Sequence, residues 1–190
     1  HTYLQAIVVS LFALFDLSKE DEREVLILGL RWTTIIVLVW AGLQKFLLGS
    51  YFDGQFLAYR IYESDSFRLI FQYLLDPAEF ARLTAIAHPP VAGAGPFKVD
   101  STLFLIISNS VWVSELLLPL LMFVKRFRIA ATWACIGLVL GIEILAREYE
   151  FGVLYFGLLV CCLDKDYSKP FFALAILTYG LNYLPPLMGL

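Results

Sequence analysis

Charge is what this sequence has least of. Only 16% of its 190 residues are Asp, Glu, Lys or Arg, against roughly 25% in a soluble domain whose surface must face water. That scarcity excludes an ordinary water-covered globule, so lipid is the expected solvent for much of the surface. Histidine is nearly absent, with His1 and His88 alone, and cysteine occurs only at Cys135, Cys161 and Cys162. None of these falls at metal-ligand spacing, so no metal site is expected. The cysteines lie in or at the end of apolar runs and read as small buried hydrophobes. A formal net charge of −3 leaves no basic stripe, and nucleic acid is not an expected partner. There is no internal repeat and no low-complexity tail. No basic flank or small-residue cleavage site marks the first apolar stretch as a signal peptide.

What is present is apolar length. Hydrophobic residues make up 60% of the chain, in six runs: Tyr3–Leu17, Val25–Leu43, Leu103–Val124, Ile129–Ala146, the short Phe151–Leu163, and Phe171–Leu187. A crossing needs about 20 apolar residues, and the backbone must satisfy itself inside lipid. The expected fold is therefore all-α: a single transmembrane helical bundle over residues 1–190 with about five or six spans. The chain opens at His1, already inside an apolar stretch, so native sequence is expected to precede it.

Residues 46–102 differ in character. From Phe56 to Ala87 apolar residues mix with Arg60, Glu63, Asp65, Arg68, Asp76, Glu79 and Arg82, the pattern of short amphipathic helices resting at a membrane interface. Asp76-Pro77 is placed to open one of them. His88 to Pro96 is rich in Pro and Gly and predicts a loop. If all six runs cross, the Ser18–Glu24, Lys125–Arg128 and Asp164–Lys169 turns share one side and hold most of the short-loop Lys and Arg. That side should be cytoplasmic. Residues 46–102 are then exoplasmic, and a bacterial inner membrane is the expected location.

Charges inside spans are costly, at ~2.5–3.5 kcal/mol on insertion scales, and need a partner or a purpose. Arg31 and Glu115 are two such residues, and a pair between them across two helices is geometrically possible. Lys45 ends the second run. A lysine there is ordinarily an anchor that snorkels to the headgroups; a partly desolvated amine can instead act as a general base. The Tyr51-Phe52-Asp53-Gly54 turn beyond it is placed to orient a ligand.

At these residues the chain resembles the membrane domain of vitamin K-dependent gamma-carboxylases and their bacterial relatives, the horizontally transferred transmembrane family. His1-Thr2-Tyr3-Leu4 is similar to a His-x-Tyr-Leu that opens a family helix, and Ala41-Gly42-Leu43-Gln44-Lys45 to an Ala-Gly-x-x-Lys at a helix end. Tyr51-Phe52-Asp53-Gly54 is similar to an aromatic-x-acid-Gly element, offset by one residue, and weaker similarity runs through Trp112–Phe123 and Tyr149–Phe156. The resemblance implies a carboxylase-like lyase in which Lys45 is the base that deprotonates a reduced, vitamin K-like quinone. It implies that His1 assists and that Tyr51 and Asp53 bind substrate or cofactor. Where the family commonly carries a His before Tyr149, this chain reads Gly141-Ile142-Glu143-Ile144, and it ends at Leu190 without a soluble domain. A smaller quinone-linked reaction is therefore expected in place of protein carboxylation. The alternative from composition alone is a non-catalytic helical subunit packed against other membrane proteins.

Overall fold

The structure is a computed structural model that describes residues 2–86, 95–146, 149–163, 169–171, 173 and 174. It is mostly helical over these residues, with no strand among them. Helices α1 (Thr2–Leu14) and α2 (Glu20–Leu48) are followed by three short helices, α3 (Gln55–Glu63), α4 (Asp65–Phe71) and α5 (Pro77–Thr84). After a 3-10 turn at Gly95–Phe97 come α6 (Thr102–Phe123), α7 (Arg128–Ala146) and α8 (Tyr149–Val160). Two of these, α2 and α6, are long and apolar enough to cross a membrane. The sixth apolar run, from Phe171, lies mostly outside the described residues, as do His1 and the loop residues 87–94.

Local chemistry explains the boundaries. The charged stretch after the first run is only partly a turn, because α2 already begins at Glu20. Its first turn carries Glu20, Asp21 and Glu22, which suit the positive end of the helix dipole. At the other end Gly49 takes φ +72°, and its N–H closes the helix on the carbonyl of Lys45. That left-handed conformation costs glycine little. Helix α5 opens as its sequence predicts: the Asp76 carboxylate accepts from the N–H of Ala78 at 2.9 Å, with Pro77 in the first turn.

Helices α2 and α6 run antiparallel and carry the bundle. Trp32 meets Phe123, Phe46 meets Trp112, Asn109 donates to the carbonyl of Phe52, and Gly54 faces Phe104. The two helices are therefore staggered. The first part of α2, Glu20 to Arg31, extends beyond the end of α6, where it packs on α1 and α8. The first part of α6, from Phe104, passes into a second core. That core is built by Tyr51, Leu57, Ala58, Ile61, Phe67, Phe71 and Leu83 of the α3–α5 region. The short helices thus bury side chains of their own together with Phe104 at the start of α6. The first core is filled by Leu26, Leu30, Leu38, Ile136, Val139, Tyr155 and Leu159 from α2, α7 and α8.

Long faces of the bundle are apolar on the outside as well as within. Val25, Leu28, Trp32, Ile36 and Trp40 form an exposed stripe along α2, and Leu103, Ile106, Val113, Leu117 and Leu120 another along α6. Thr34, Ser108, Glu115, Thr132 and Glu143 are buried. Exposed apolar faces of this extent mark contact with lipid or with another protein.

Candidate functional site

Glu115 is the centre of the site. Its side chain is 3% exposed, yet both carboxylate oxygens lie 2.5 Å from the ammonium of Lys45, which is 23% exposed. The lysine thus bridges a sealed carboxylate and the accessible surface of the bundle. Lys45 occupies the last turn of α2, where a cation is also favoured by the helix dipole. Its nitrogen sits 5.7 Å from the centre of the Tyr51 ring, within cation–π range.

Gly42 makes this meeting possible. A Cβ added there would stand 2.9 Å from Cγ of Leu116, 3.0 Å from Cβ of Glu115 and 3.0 Å from the backbone nitrogen of Leu116. With hydrogen in place of a methyl, the two backbones close up one turn before Lys45, and Glu115 comes within reach. Tyr51 is fixed from below by α6, since Ser108 Oγ donates to its carbonyl at 2.7 Å. Its ring stacks on Phe56, centroids 4.8 Å apart. Beside it Phe46, Phe52 and Trp112 make a mutual aromatic cluster, with Trp112 Nε1 donating to Asn109 Oδ1 at 2.9 Å. A second buried carboxylate, Glu143 on α7, packs against the backbone of α8. Its Oε1 fills the space where a Cβ on Gly152 would lie, only 1.4 Å away.

The expected site residues divide as follows. Lys45 and Tyr51 come together. Asp53 turns to the start of α3, where its carboxylate accepts from the side chain and N–H of Gln55, at 2.6 and 3.4 Å. It orders the turn and makes no contact with Lys45 among those the structure records. His1 lies outside the described residues. A shallow groove of about 450 Å³ beyond Lys45 is lined by Leu48, Gly49, Ser50 and Gln55.

The pair considered between Arg31 and Glu115 does not form. Arg31 stands beside Trp32, at the level of Phe123, eight residues and about 12 Å along α6 from Glu115. It donates instead through Nε to the carbonyl of Cys161. Depth counted from the ends of hydrophobic runs assumed that the two helices begin level, and the stagger removes that premise. Sequence reasoning missed Glu115 as the partner of Lys45; the small residue Gly42 one turn before the lysine was the available signal. No group of metal-ligating side chains occurs among the described residues.

Comparison of the chain with protein-family models, with curated proteins and with solved structures gave no match.

Proposed function

We propose that this chain is a multi-pass integral membrane protein whose working centre is the Lys45–Glu115 pair, a proton-exchanging dyad serving an apolar hydroxylated ring such as a reduced quinone. The observation that carries this reading is the asymmetry of the pair, an almost fully buried carboxylate joined to a lysine that still reaches accessible surface. Ionisable groups inside a membrane bundle are functional by default hypothesis. Here each member has its partner, so the arrangement is stable enough to persist and polar enough to work.

The chemistry uses the chain's own groups. Lys45 takes the hydroxyl proton of the ring while passing one of its ammonium protons to Glu115. The pair then holds one proton more, and the deprotonated oxygen faces an ammonium that stabilises it. Because the proton moves inward along an existing contact, the lysine need not start neutral. A general base must lie within hydrogen-bond reach of its proton, and the exposed part of Lys45 satisfies that for a ring seated on Tyr51. The aromatic cluster of Phe46, Phe52 and Trp112 supplies the apolar walls such a ring requires. A reduced quinone supplies the electron-rich centre on which carboxylase-like chemistry depends in the family this chain resembles. Five or six spans in a bacterial inner membrane, with residues 46–102 exoplasmic, complete the proposal. The exposed apolar stripes and the Lys125–Arg128 turn support it.

A second reading, a non-catalytic subunit in which the pair only pins α2 to α6, is favoured by one observation, the tight Gly42 contact. The two separate in one experiment on the protein in proteoliposomes, reading oxygen uptake above the uncatalysed rate after addition of a reduced naphthoquinone. The catalytic reading expects uptake by the wild type, loss in Lys45→Met, and no recovery in the exchanged Lys45→Glu/Glu115→Lys protein even where the exchange restores thermal stability. Folded wild type without uptake, or full recovery on exchange, sinks it.

A further inference from the structure

We infer that the opposite end of the helix pair, where Arg31 and Arg128 line one cavity, carries a binding site for the phosphate-bearing headgroup of an anionic phospholipid. This inference rests on the membrane reading above and on nothing at Lys45. A cavity of about 160 Å³ opens there between α2, the end of α6 and the start of α7. Its charged lining is Arg31 and Arg128, and its walls include Leu28, Trp32, Ile35 and Phe123.

Both guanidinium groups are held in place by a single nitrogen. Arg31 donates through Nε to the carbonyl of Cys161, and Arg128 through Nε to that of Met122 at 3.2 Å. That tether leaves the terminal nitrogens of each fork as donors, and neither arginine pairs with a carboxylate among the described residues. The other titratable group on the lining is Cys162. Glu24 lies two turns back along α2, in a neighbouring groove that shares Leu28 and Arg31, and Lys125 and Arg126 stand in the adjoining turn. Asp164 and Asp166, the carboxylates nearest to Cys162 in sequence, lie outside the described residues.

Two arginine cations facing one apolar cavity are costly in a membrane without a counter-charge. Planar guanidinium forks match phosphate oxygens in geometry as well as charge. The occupant must also cover the apolar walls, which a free phosphate leaves wet and a glycerol backbone with its first acyl carbons covers. Trp32, exposed on the rim, is the kind of amphipathic ring that sits at headgroup level. Basic pockets between membrane helices on the cytoplasmic side are built to hold anionic headgroups.

The test is native mass spectrometry of the delipidated full chain in detergent, titrated with phosphatidylglycerol, phosphatidylcholine or inorganic phosphate. The inference expects one phosphatidylglycerol retained at least about tenfold more tightly than phosphatidylcholine. It expects that preference to be lost in Arg31→Gln and in Arg128→Gln and kept in Arg126→Gln. If Arg31→Gln does not fold, Arg128→Gln carries the comparison alone. Equal retention of the two lipids overturns the site, as does a preference untouched by Arg128→Gln. Competition by inorganic phosphate at the same concentration as the lipid overturns the lipid and leaves a soluble anion.

Discussion

Lys45 and Gly42 lie one turn apart on α2, and the absence of a side chain at the second is what lets the first reach Glu115. The contact is therefore a property of helix packing as much as of charge. An alanine at position 42 would meet Leu116 and Glu115 within about 3 Å. We expect Gly42→Ala to destabilise the folded protein by about 1–3 kcal/mol, the usual range for overpacking. Thermal unfolding in detergent measures it. A melting temperature equal to that of the wild type would show that the helices do not pack this closely.

Removing one charge should cost more than removing both. Lys45→Met leaves a carboxylate buried without its counter-charge, and loss of one partner of a buried pair costs about 3–5 kcal/mol. Replacing both residues with Met removes that uncompensated charge and should recover most of the loss. The stability of the two singles and the double, measured as a cycle, gives the coupling directly. Simple additivity would contradict the contact.

Glu143 and Gly152 offer a parallel case between α7 and α8. A methyl at position 152 occupies the space of the Glu143 carboxylate, so Gly152→Ala should displace that side chain and destabilise the bundle. Glu143→Ala in the same molecule should relieve the clash. A double variant less stable than Gly152→Ala would reject this arrangement.

Acid should loosen the region of the short helices at one identifiable point. Arg82 binds the Glu79 carboxylate at 2.7 and 2.8 Å, donates to the carbonyl of Lys98 at 2.9 Å, and also donates to that of Pro96. The hydrogen bond from Arg82 holds the Glu79 carboxyl below its usual 4.5. A lowered carboxylate contributes stability that is fully present above the unfolded value and lost as pH falls through the folded one. Amide protection at Phe97–Val99, corrected for the intrinsic pH dependence of exchange, should thus be unchanged from neutrality down to about pH 4.5 and fall below it, which is the rise in opening to be read. Glu79→Gln should abolish that rise, and a rise already present at pH 6 would assign it to another group.

Topology is open to direct labelling. In a background free of the three native cysteines, Lys125→Cys should resist an impermeant thiol reagent applied to intact cells, and Lys98→Cys should react. Both side chains are exposed in the fold. The reverse pattern would invert the orientation and with it the placement of Lys45.

Where the chain is helical could be read from hydrophobic run length, and Leu103–Val124 and Ile129–Ala146 agree with α6 and α7 to one residue at each end. Capping chemistry placed the start of α5, because Asp76-Pro77 acts within four residues of itself. What sequence could not give was relative register. Arg31 and Glu115 were both singled out as buried charges, but whether either finds the other depends on the stagger of α2 against α6. Contacts such as Trp32 to Phe123, far apart in the chain, set that stagger. Arg31 illustrates a second limit, since its partner is the carbonyl of Cys161 and a main-chain acceptor leaves no signature in residue type. The nearness of Tyr51 to Lys45 was legible from the turn that follows the lysine, and the family resemblance pointed the same way. For Asp53, the nearer competitor Gln55 decides the outcome.

The stagger between α2 and α6 has a mechanical side. Two antiparallel helices offset along their axes can change register only by sliding past one another, whereas mismatch with a bilayer loads such a pair by only fractions of a kcal/mol per ångström. Lys45 and Glu115 lie on that sliding surface. A shift of one helical rise, about 1.5 Å, is large against a contact of 2.5 Å. The pair and the close approach at Gly42 therefore act as a register lock, since any slide of α2 along α6 would part the ammonium from the carboxylate.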